Sequence, residues 1–149
     1  MGEFANTKNR STVLTVPLIA CHSCGRCVLE EGIFYAIEAA LDRSGESPSR
    51  DFLVSLNRKK KAQEQLIDIL MRLEDFASTG TLAVPRELNH LKDELWEIKA
   101  GNVRLPFYYN KLGTCGRIRV THGFLKASQK TPLKEIDRGL AIIREDSKQ

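Results

Sequence analysis

The second half of the chain carries cations mixed with aromatic and hydrogen-bonding side chains, which are the groups that handle phosphate esters. The set consists of Lys99, Arg104, Arg119, His122, Lys126 and Lys130, with Tyr108 and Tyr109 nearby. Cross-strand neighbours on one side of a β-sheet lie roughly 5 Å apart, so several of these cations can surround one phosphate. The spacing leaves open a second interpretation, a solvated basic surface without catalysis.

RNA is a substrate that such a set can cleave, because its 2′-hydroxyl stands next to each phosphodiester and supplies the nucleophile. The enzyme must then provide a proton acceptor, a donor for the leaving 5′ oxygen and fixed positive charge for the transition state. Lysine, arginine, histidine and tyrosine can fill these roles, so we expect no metal and no other cofactor. His122 shares strand parity with Ile118 and Val120, which favours a half-buried histidine with satisfied hydrogen bonds over a general base.

Three helices are predicted around these residues. Residues 52–56 form a short helix, and residues 59–77 carry apolar side chains at three- and four-residue steps, which predicts a longer helix with one buried face. Gly80 is its stop signal. The last helix follows Thr131, which we expect as its N-cap, and Pro132, which we expect at its first position.

The strands are predicted from period-two alternation. Residues 95–99, 103–109 and 117–124 predict a three-stranded antiparallel meander, and residues 33–37 predict one further short strand. Pro106 falls inside a strand that should be central, and its missing N–H implies a bulge or an edge there. With helices first, then a sheet, then a closing helix, the fold class is α+β.

The bulk composition is that of a soluble protein with one domain. The chain has 149 residues, 42% of them hydrophobic, and a formal net charge of +4, which suits a polyanionic partner. No apolar run reaches the roughly 18 residues that a membrane span needs. Residues 1–30 show no sustained period, so we interpret them as an N-terminal extension without a core face, followed by a domain over 31–149.

Three of the four cysteines cluster in this extension, which is typical of a reduced, cytoplasmic protein rather than of a disulfide scaffold. Cys21, His22, Cys24 and Cys27 have spacings compatible with a zinc knuckle, but no second pair of ligands follows at finger-like distance. Residues 18–21 also resemble a bacterial lipoprotein cleavage box, although the apolar stretch before them is short. The interpretation adopted is a start with no catalytic role and no metal.

Several motifs resemble the phage-derived, HigB-like members of the RelE/ParE toxin superfamily. Residues 121–132, Thr-His-Gly-Phe-Leu-Lys-Ala-Ser-Gln-Lys-Thr-Pro, resemble the signature His-Gly-Phe-x-Lys-Lys-x-Gln-Lys-Thr-Pro, and Leu-Lys-Glu-Ile follows. Residues 45–53 resemble the opening Gly-x-Ser-Pro-x-x-x-Phe-Leu, while residues 91–99 and 103–109 resemble the first two core strands. The resemblance covers roughly residues 31–148.

The resemblance implies a RelE-like fold and a toxin of a type II toxin–antitoxin system that cleaves mRNA in the ribosomal A site. Arg104 matches the arginine that would hold the scissile phosphate, and Lys126 and Lys130 match basic residues of the signature loop. Lys99 stands where relatives often have arginine, so its charge is kept without a bidentate grip, and Ala127 replaces a usual lysine. The implied partners are the ribosome with its mRNA and a cognate antitoxin, expected to be a helix-turn-helix DNA-binding protein.

Further RNA contacts are expected from Arg119 and Tyr108 of the meander and from Lys59, Lys60 and Lys61. These lysines stand at the start of the long helix, where positive charge opposes the helix dipole. Contact with RNA phosphates would explain this local cost, and a solvated charged turn is the alternative. Two other functions stay open: a ParE-like toxin that inhibits DNA gyrase without enzymatic activity, and a metal- or membrane-associated accessory protein defined by the cysteines.

Overall fold

The computed structural model describes residues 26–110 and 116–149. Its elements, in chain order, are β1 (Val28–Glu31), β2 (Ala36–Ala39), α1 (Pro48–Arg58), a 3₁₀ turn (Lys60–Ala62), α2 (Gln63–Thr79), β3 (Leu88–Lys92), β4 (Leu95–Ala100), β5 (Val103–Asn110), β6 (Arg117–Val120), β7 (Phe124–Leu125) and α3 (Leu133–Asp146). The predicted α+β class is confirmed, and the fold is consistent with a RelE-like one. Among the described residues, none of the helices combines the length and apolar content that a membrane-spanning helix needs.

One sheet joins all the strands in the order β1-β2-β6-β5-β4-β3, and β7 pairs with β5. The predicted antiparallel meander is confirmed as β4, β5 and β6. Two strands precede α1: β1 was not predicted, and the short strand expected at residues 33–37 is present as β2 (Ala36–Ala39), which joins the sheet parallel to β6. That pairing links segments about eighty residues apart, which local periodicity does not reveal.

The two faces of the sheet carry different helices. One face presents the alternate apolar residues of β4, β5 and β6 to α1 and α2, and this is the main core. Its buried members include Leu53, Leu66, Ile69, Leu73, Phe76, Ile98, Leu105, Phe107, Ile118 and Val120, with Trp96 and Tyr109 packed at its margin. The opposite face receives α3, where Leu95 and Tyr108 of the strands pack against Ile143.

Pro106 lies in the middle of β5, directly opposite Glu97 of β4. Its carbonyl accepts a hydrogen bond from the backbone N–H of Thr121 at 2.8 Å. Since the N–H and C=O of one strand residue point to the same side, the proline nitrogen faces residues 121–123, where the partner strand is interrupted between β6 and β7. The predicted irregularity is therefore a break in the neighbouring strand.

The span 1–30 was expected to have no core face, and this is wrong for its last residues. Cys27 and Leu29 are buried in the main core, and Arg26 is buried as well. The strand β1 begins at Val28 and pairs with β2, so the sheet starts inside the predicted extension. Residues 1–25 lie outside the described part of the chain.

Two of the sequence motifs meet in space at Gly123. A side chain at this position would begin 2.2 Å from the ring of Phe52 on α1, so only glycine lets the loop after β6 pass so close to the helix. Phe52 comes from the segment 45–53 and Gly123 from the signature at 121–132. The two patterns therefore specify two sides of one contact.

A buried carboxylate fixes the C-terminal end of α3 to the sheet. Asp146 accepts hydrogen bonds from the Arg26 guanidinium, from the Tyr108 hydroxyl, from the Leu41 N–H at 2.9 Å and from Arg119 Nη1 at 3.1 Å. Burial alone would raise the pKa of Asp146, but these hydrogen bonds and the charge of Arg119 outweigh it, and its pKa is lowered. The carboxylate is thus held ionised between the buried Arg26 and the partly buried Arg119.

Replacing this carboxylate should destabilise the fold strongly. Asp146→Ala leaves Arg26 with no ion-pair partner in the described structure, and breaking a buried pair in this way costs about 3–5 kcal/mol. The neighbouring Glu145→Ala is the matched control: its partner Arg43 has a side chain 87% exposed, and such surface pairs contribute below about 1 kcal/mol. The measurement is the free energy of unfolding in urea, and equal losses for both variants would contradict the anchoring role.

Candidate functional site

A pocket lies on the α3 face of the sheet, beside the N-terminal end of α3. It encloses about 330 Å³ between β3, β4, β5, the loop before α3 and the first turn of α3. We call it the basic pocket. Its polar lining includes Asn89, Glu97, Lys99, Arg104, Lys130 and Thr131.

The hairpin of β4 and β5 places the first two cations. Lys99 and Arg104 are direct cross-strand partners, so their side chains leave the same face of the sheet. Lys130 reaches the pocket from the loop that follows β7. The predicted grouping of Lys99, Arg104 and Lys130 is therefore present in the structure.

Arg104 is the most deeply placed of these cations, with 6% of its surface exposed. Its Nη1 donates to the carbonyl oxygens of Gly101 at 2.6 Å and Val103 at 2.9 Å, which fixes the guanidinium against its own hairpin turn. Burial lowers the pKa of Arg104, and the nearby carboxylate of Glu97 partly opposes this shift. An arginine remains a cation under such conditions, so a fixed positive charge stands in the pocket.

Glu97 is a buried carboxylate of the basic pocket that the sequence reasoning missed. It is 2% exposed, and its Oε1 accepts a hydrogen bond from the Thr131 hydroxyl at 2.8 Å. The expected N-cap role of Thr131 is wrong: Pro132 occupies the cap position, and the threonine side chain is used by Glu97 instead. Strand parity is the signal that could have found it, because Glu97 lies two residues from both Leu95 and Lys99 and therefore shares their side of the sheet, which faces α3.

The cations of the basic pocket are not neutralised by the protein. Within residues 26–110 and 116–149, neither Lys99, Arg104 nor Lys130 has a carboxylate oxygen within ion-pair distance. Glu97 is near enough to influence the pKa of Arg104 but does not pair with it. Arg104 is the buried member of the three, and since a buried charge in a protein is normally paired or bound to a ligand, the arrangement is suited to an anion.

The structure places Arg119 and Tyr108 elsewhere, in the buried network of Asp146. The side chain of Arg119 is 14% exposed and is shared between Asp146 and Glu38, whose Oε1 is 3.2 Å from its Nε. Burial, together with Asp146, raises the pKa of Tyr108 to about 12. Both side chains are engaged under α3 and do not line the basic pocket, and their contact with RNA stays a prediction.

Lys126 and the three lysines of the turn are also separate from the basic pocket. Lys126 lines an adjoining cleft of about 320 Å³. Lys59, Lys60 and Lys61 are exposed at the turn between α1 and α2, on the opposite face of the sheet, and they line neither cavity. Of the predicted catalytic residues, the structure thus brings together three and sets Lys126 beside them.

His122 is a structural residue of the loop that leads to the pocket. It is fully buried, its Nδ1 lies 2.9 Å from the Thr121 hydroxyl and its Nε2 lies 3.2 Å from a Glu135 carboxylate oxygen. Burial, with a smaller contribution from Arg138, lowers the pKa of His122 to about 3. The expectation of a satisfied histidine rather than a general base agrees with this placement, and burial is complete rather than partial.

A larger cleft of about 630 Å³ lies at the other end of α3. Arg43, Arg144 and Lys148 line it, but Glu145 stands among them and pairs with Arg43 at 3.7 Å. Cations near a helix C-terminus also have a local reason, because they complement the helix dipole. The smaller basic pocket is the better candidate, since it combines unpaired cations with a buried carboxylate.

The described residues contain no group of three or more His, Cys, Asp or Glu side chains that could hold a metal ion. Cys21, His22 and Cys24 of the zinc-knuckle alternative lie outside this part of the chain, as do residues 18–21 of the lipoprotein alternative. Cys27 is described and is buried in the main core.

Comparison with known proteins identifies the family. A search of curated proteins returns no match. A family model described as phage-derived protein Gp49-like (DUF891) matches residues 51–143, which is more than half of the chain and contains most of α1, all of α2, the basic pocket and most of α3. This is a toxin-like family linked to toxins of the RelE/HigB type. The chain therefore belongs to the phage-derived Gp49-like family.

Proposed function

We propose that this protein is the toxin of a type II toxin–antitoxin pair and that it cleaves mRNA on the ribosome. The observation that carries the proposal is the basic pocket, whose lining combines three cations without ion-pair partners among the described residues and the buried carboxylate of Glu97. Membership of a toxin-like family and the RelE/HigB-like signature at residues 121–132 support it. The proposed place of action is the cytoplasm, where ribosomes and mRNA are found.

The pocket contains the groups that 2′-hydroxyl attack requires. Glu97 accepts the proton of the 2′-hydroxyl while the 2′-oxygen forms a bond to phosphorus and the bond to the 5′ oxygen breaks. Lys99 and Arg104 stabilise the negative charge of the transition state. The ammonium group of Lys130 donates a proton to the leaving 5′ oxygen. The products are a 2′,3′-cyclic phosphate and a 5′-hydroxyl, so atoms and charges balance without a further reactant.

The buried carboxylate favours RNA cleavage over the second candidate, inhibition of DNA gyrase. A toxin that acts through protein contact needs an exposed recognition surface and does not need a buried carboxylate in the lining of a basic pocket. Primer extension on abundant mRNAs after induction in cells separates the two functions. Cuts confined to translated regions support the ribosome-dependent nuclease, whereas intact mRNA together with trapped gyrase–DNA complexes would contradict it.

The proposed partner is a cognate antitoxin, because a toxin of this kind must be neutralised in the cell that carries it. An acidic segment fits the unpaired cations of the basic pocket, and charge complementarity would accelerate its capture. We expect a small helix-turn-helix DNA-binding protein in this role, as the resemblance implies.

Removing Arg104 should abolish growth arrest. Arg104→Ala deletes a fixed charge at the transition state, and loss of one such group lowers a rate by about 10²–10³-fold. The matched control is Arg86→Ala, because the Arg86 side chain is 82% exposed and lies outside the basic pocket. Growth after induction is measured together with the unfolding transition of each purified protein. A folded Arg104→Ala protein with full toxicity would overturn the assignment.

Removing the charge of Glu97 should separate catalysis from binding. Glu97→Gln keeps an oxygen for the Thr131 hydroxyl but loses the proton acceptor, so cleavage should slow by about 10²–10⁴-fold. Affinity for an uncleavable 2′-O-methyl RNA should stay equal or rise, because a negative charge leaves a cationic pocket. Glu94→Gln, at an exposed position in the β3–β4 turn, is the control. An unchanged cleavage rate for Glu97→Gln would exclude Glu97 as the base.

A further inference from the structure

A second cleft adjoins the basic pocket and shares one of its walls. Asn102, Lys126, Ala127, Ser128 and Gln129 line it, and Gln129 also lines the basic pocket. The two cavities are therefore neighbours along the loop of residues 126–130. We call this second cavity the adjoining cleft.

The turn between β4 and β5 fixes the adjoining cleft relative to Arg104. Gly101 has a φ of +56°, which allows a two-residue turn between the paired residues Ala100 and Val103. The Gly101 carbonyl holds the Arg104 guanidinium at 2.6 Å. The next carbonyl, that of Asn102, accepts the backbone N–H of Lys126 at 2.7 Å. One rigid turn thus positions a cation of each cavity.

A hydrogen bond within the loop of residues 126–130 fixes the conformation of that loop. The Ser128 hydroxyl donates to the Lys130 carbonyl at 2.9 Å, which closes a short turn between the two lysines. Lys126 and Lys130 consequently project into different cavities from the two ends of one anchored segment. Neither lysine forms an ion pair within the described residues.

The chemistry of the adjoining cleft suits a nucleotide. Lys126 supplies a positive charge, while the amides of Asn102 and Gln129 supply both donors and acceptors. No carboxylate lines the cleft, so nothing there repels a phosphate. An RNA strand with its scissile phosphate in the basic pocket continues to a neighbouring phosphate, and the adjoining cleft is the cavity next to it.

We propose that the adjoining cleft binds the nucleotide that flanks the scissile phosphate, with Lys126 contacting the neighbouring phosphate and Asn102 contacting the nucleotide. This inference rests on the proposed function of the basic pocket. It makes Lys126 a binding residue and not a catalytic one. Asn102 and Gln129 then take part in the choice of sequence, since amide side chains can distinguish the hydrogen-bonding edges of bases.

The experiment measures binding of labelled 2′-O-methyl oligouridylates of two and four residues to the complete protein, over a range of salt concentrations. The wild-type protein should bind the tetranucleotide more tightly than the dinucleotide. Lys126→Ala should remove most of this difference in affinity and leave the affinity for the dinucleotide unchanged. The slope of log affinity against log salt concentration for the tetranucleotide should fall in magnitude by about 0.7, the value for one phosphate of a single strand. Asn102→Ala should reduce the same gain without changing the salt slope.

The controls keep this inference distinct from the proposed function. Lys148→Ala, at the far end of α3, should change neither affinity. Arg104→Ala should lower the affinity for both oligonucleotides. Unchanged affinity of that variant for the dinucleotide would contradict the proposed function of the basic pocket itself. If Lys126→Ala lowers the affinity for both oligonucleotides equally, or changes neither affinity, the proposed role of the adjoining cleft is overturned. Absence of any binding by the wild-type protein would contradict both.

Discussion

The architecture of the site depends on the ion pairs and hydrogen bonds that Asp146 makes under the C-terminal end of α3. The carboxylate joins α3 to β5, to β6 and to residue 26 ahead of β1, so one group ties together segments from both ends of the described chain. With that end held down, α3 covers one half of its sheet face. The other half, beside the N-terminal end of α3, stays open and forms the basic pocket.

Because α3 covers only part of this sheet face, the cations on the face fall into two classes, those that are paired under α3 and those that are left unpaired beside it. Arg119 and Arg104 leave the same face of the sheet, yet Arg119 is neutralised by Glu38 and Asp146 while Arg104 has only hydrogen bonds to its own turn. A buried charge that is paired within the protein is costly to unpair and is committed to the fold, whereas a charge left unpaired is available to a ligand. The distinction between structural and functional cations thus follows from where α3 lies.

The sequence predicted what depends on local pattern. The stripe of the long helix and its end before Gly80 are confirmed, as are the three meander strands, because side-chain period and turn residues determine them directly. The direct pairing of Lys99 with Arg104 was not predicted; it follows from the two-residue turn at Gly101 and Asn102. Lys130 was predicted as a site residue from the resemblance of residues 121–132 to the family signature, because its spacing in the sequence does not by itself place it near Lys99 and Arg104.

The remainder depended on contacts between distant segments, which periodicity does not encode. The strand β2 pairs with β6 on one side and with β1 on the other, so residues 28–31 belong to the sheet and the folded domain begins before residue 31. Glu97 was not predicted because strand parity places it on the α3 face but shows neither its burial nor its hydrogen bond with the Thr131 hydroxyl. Arg119 and Tyr108 were placed on the correct face, but only the position of α3 shows that they are covered.

The central claim is that the pocket cleaves RNA through its 2′-hydroxyl. The most direct measurement uses purified ribosomes programmed with a short mRNA, in which the single nucleotide on the 5′ side of the mapped cut carries a 2′-deoxyribose. The account predicts that the natural mRNA is cut to a 2′,3′-cyclic phosphate and a 5′-hydroxyl, and that the deoxy substitution abolishes the cut at that position alone. Undiminished cleavage of the deoxy-substituted mRNA, or products with a 5′-phosphate, would contradict it.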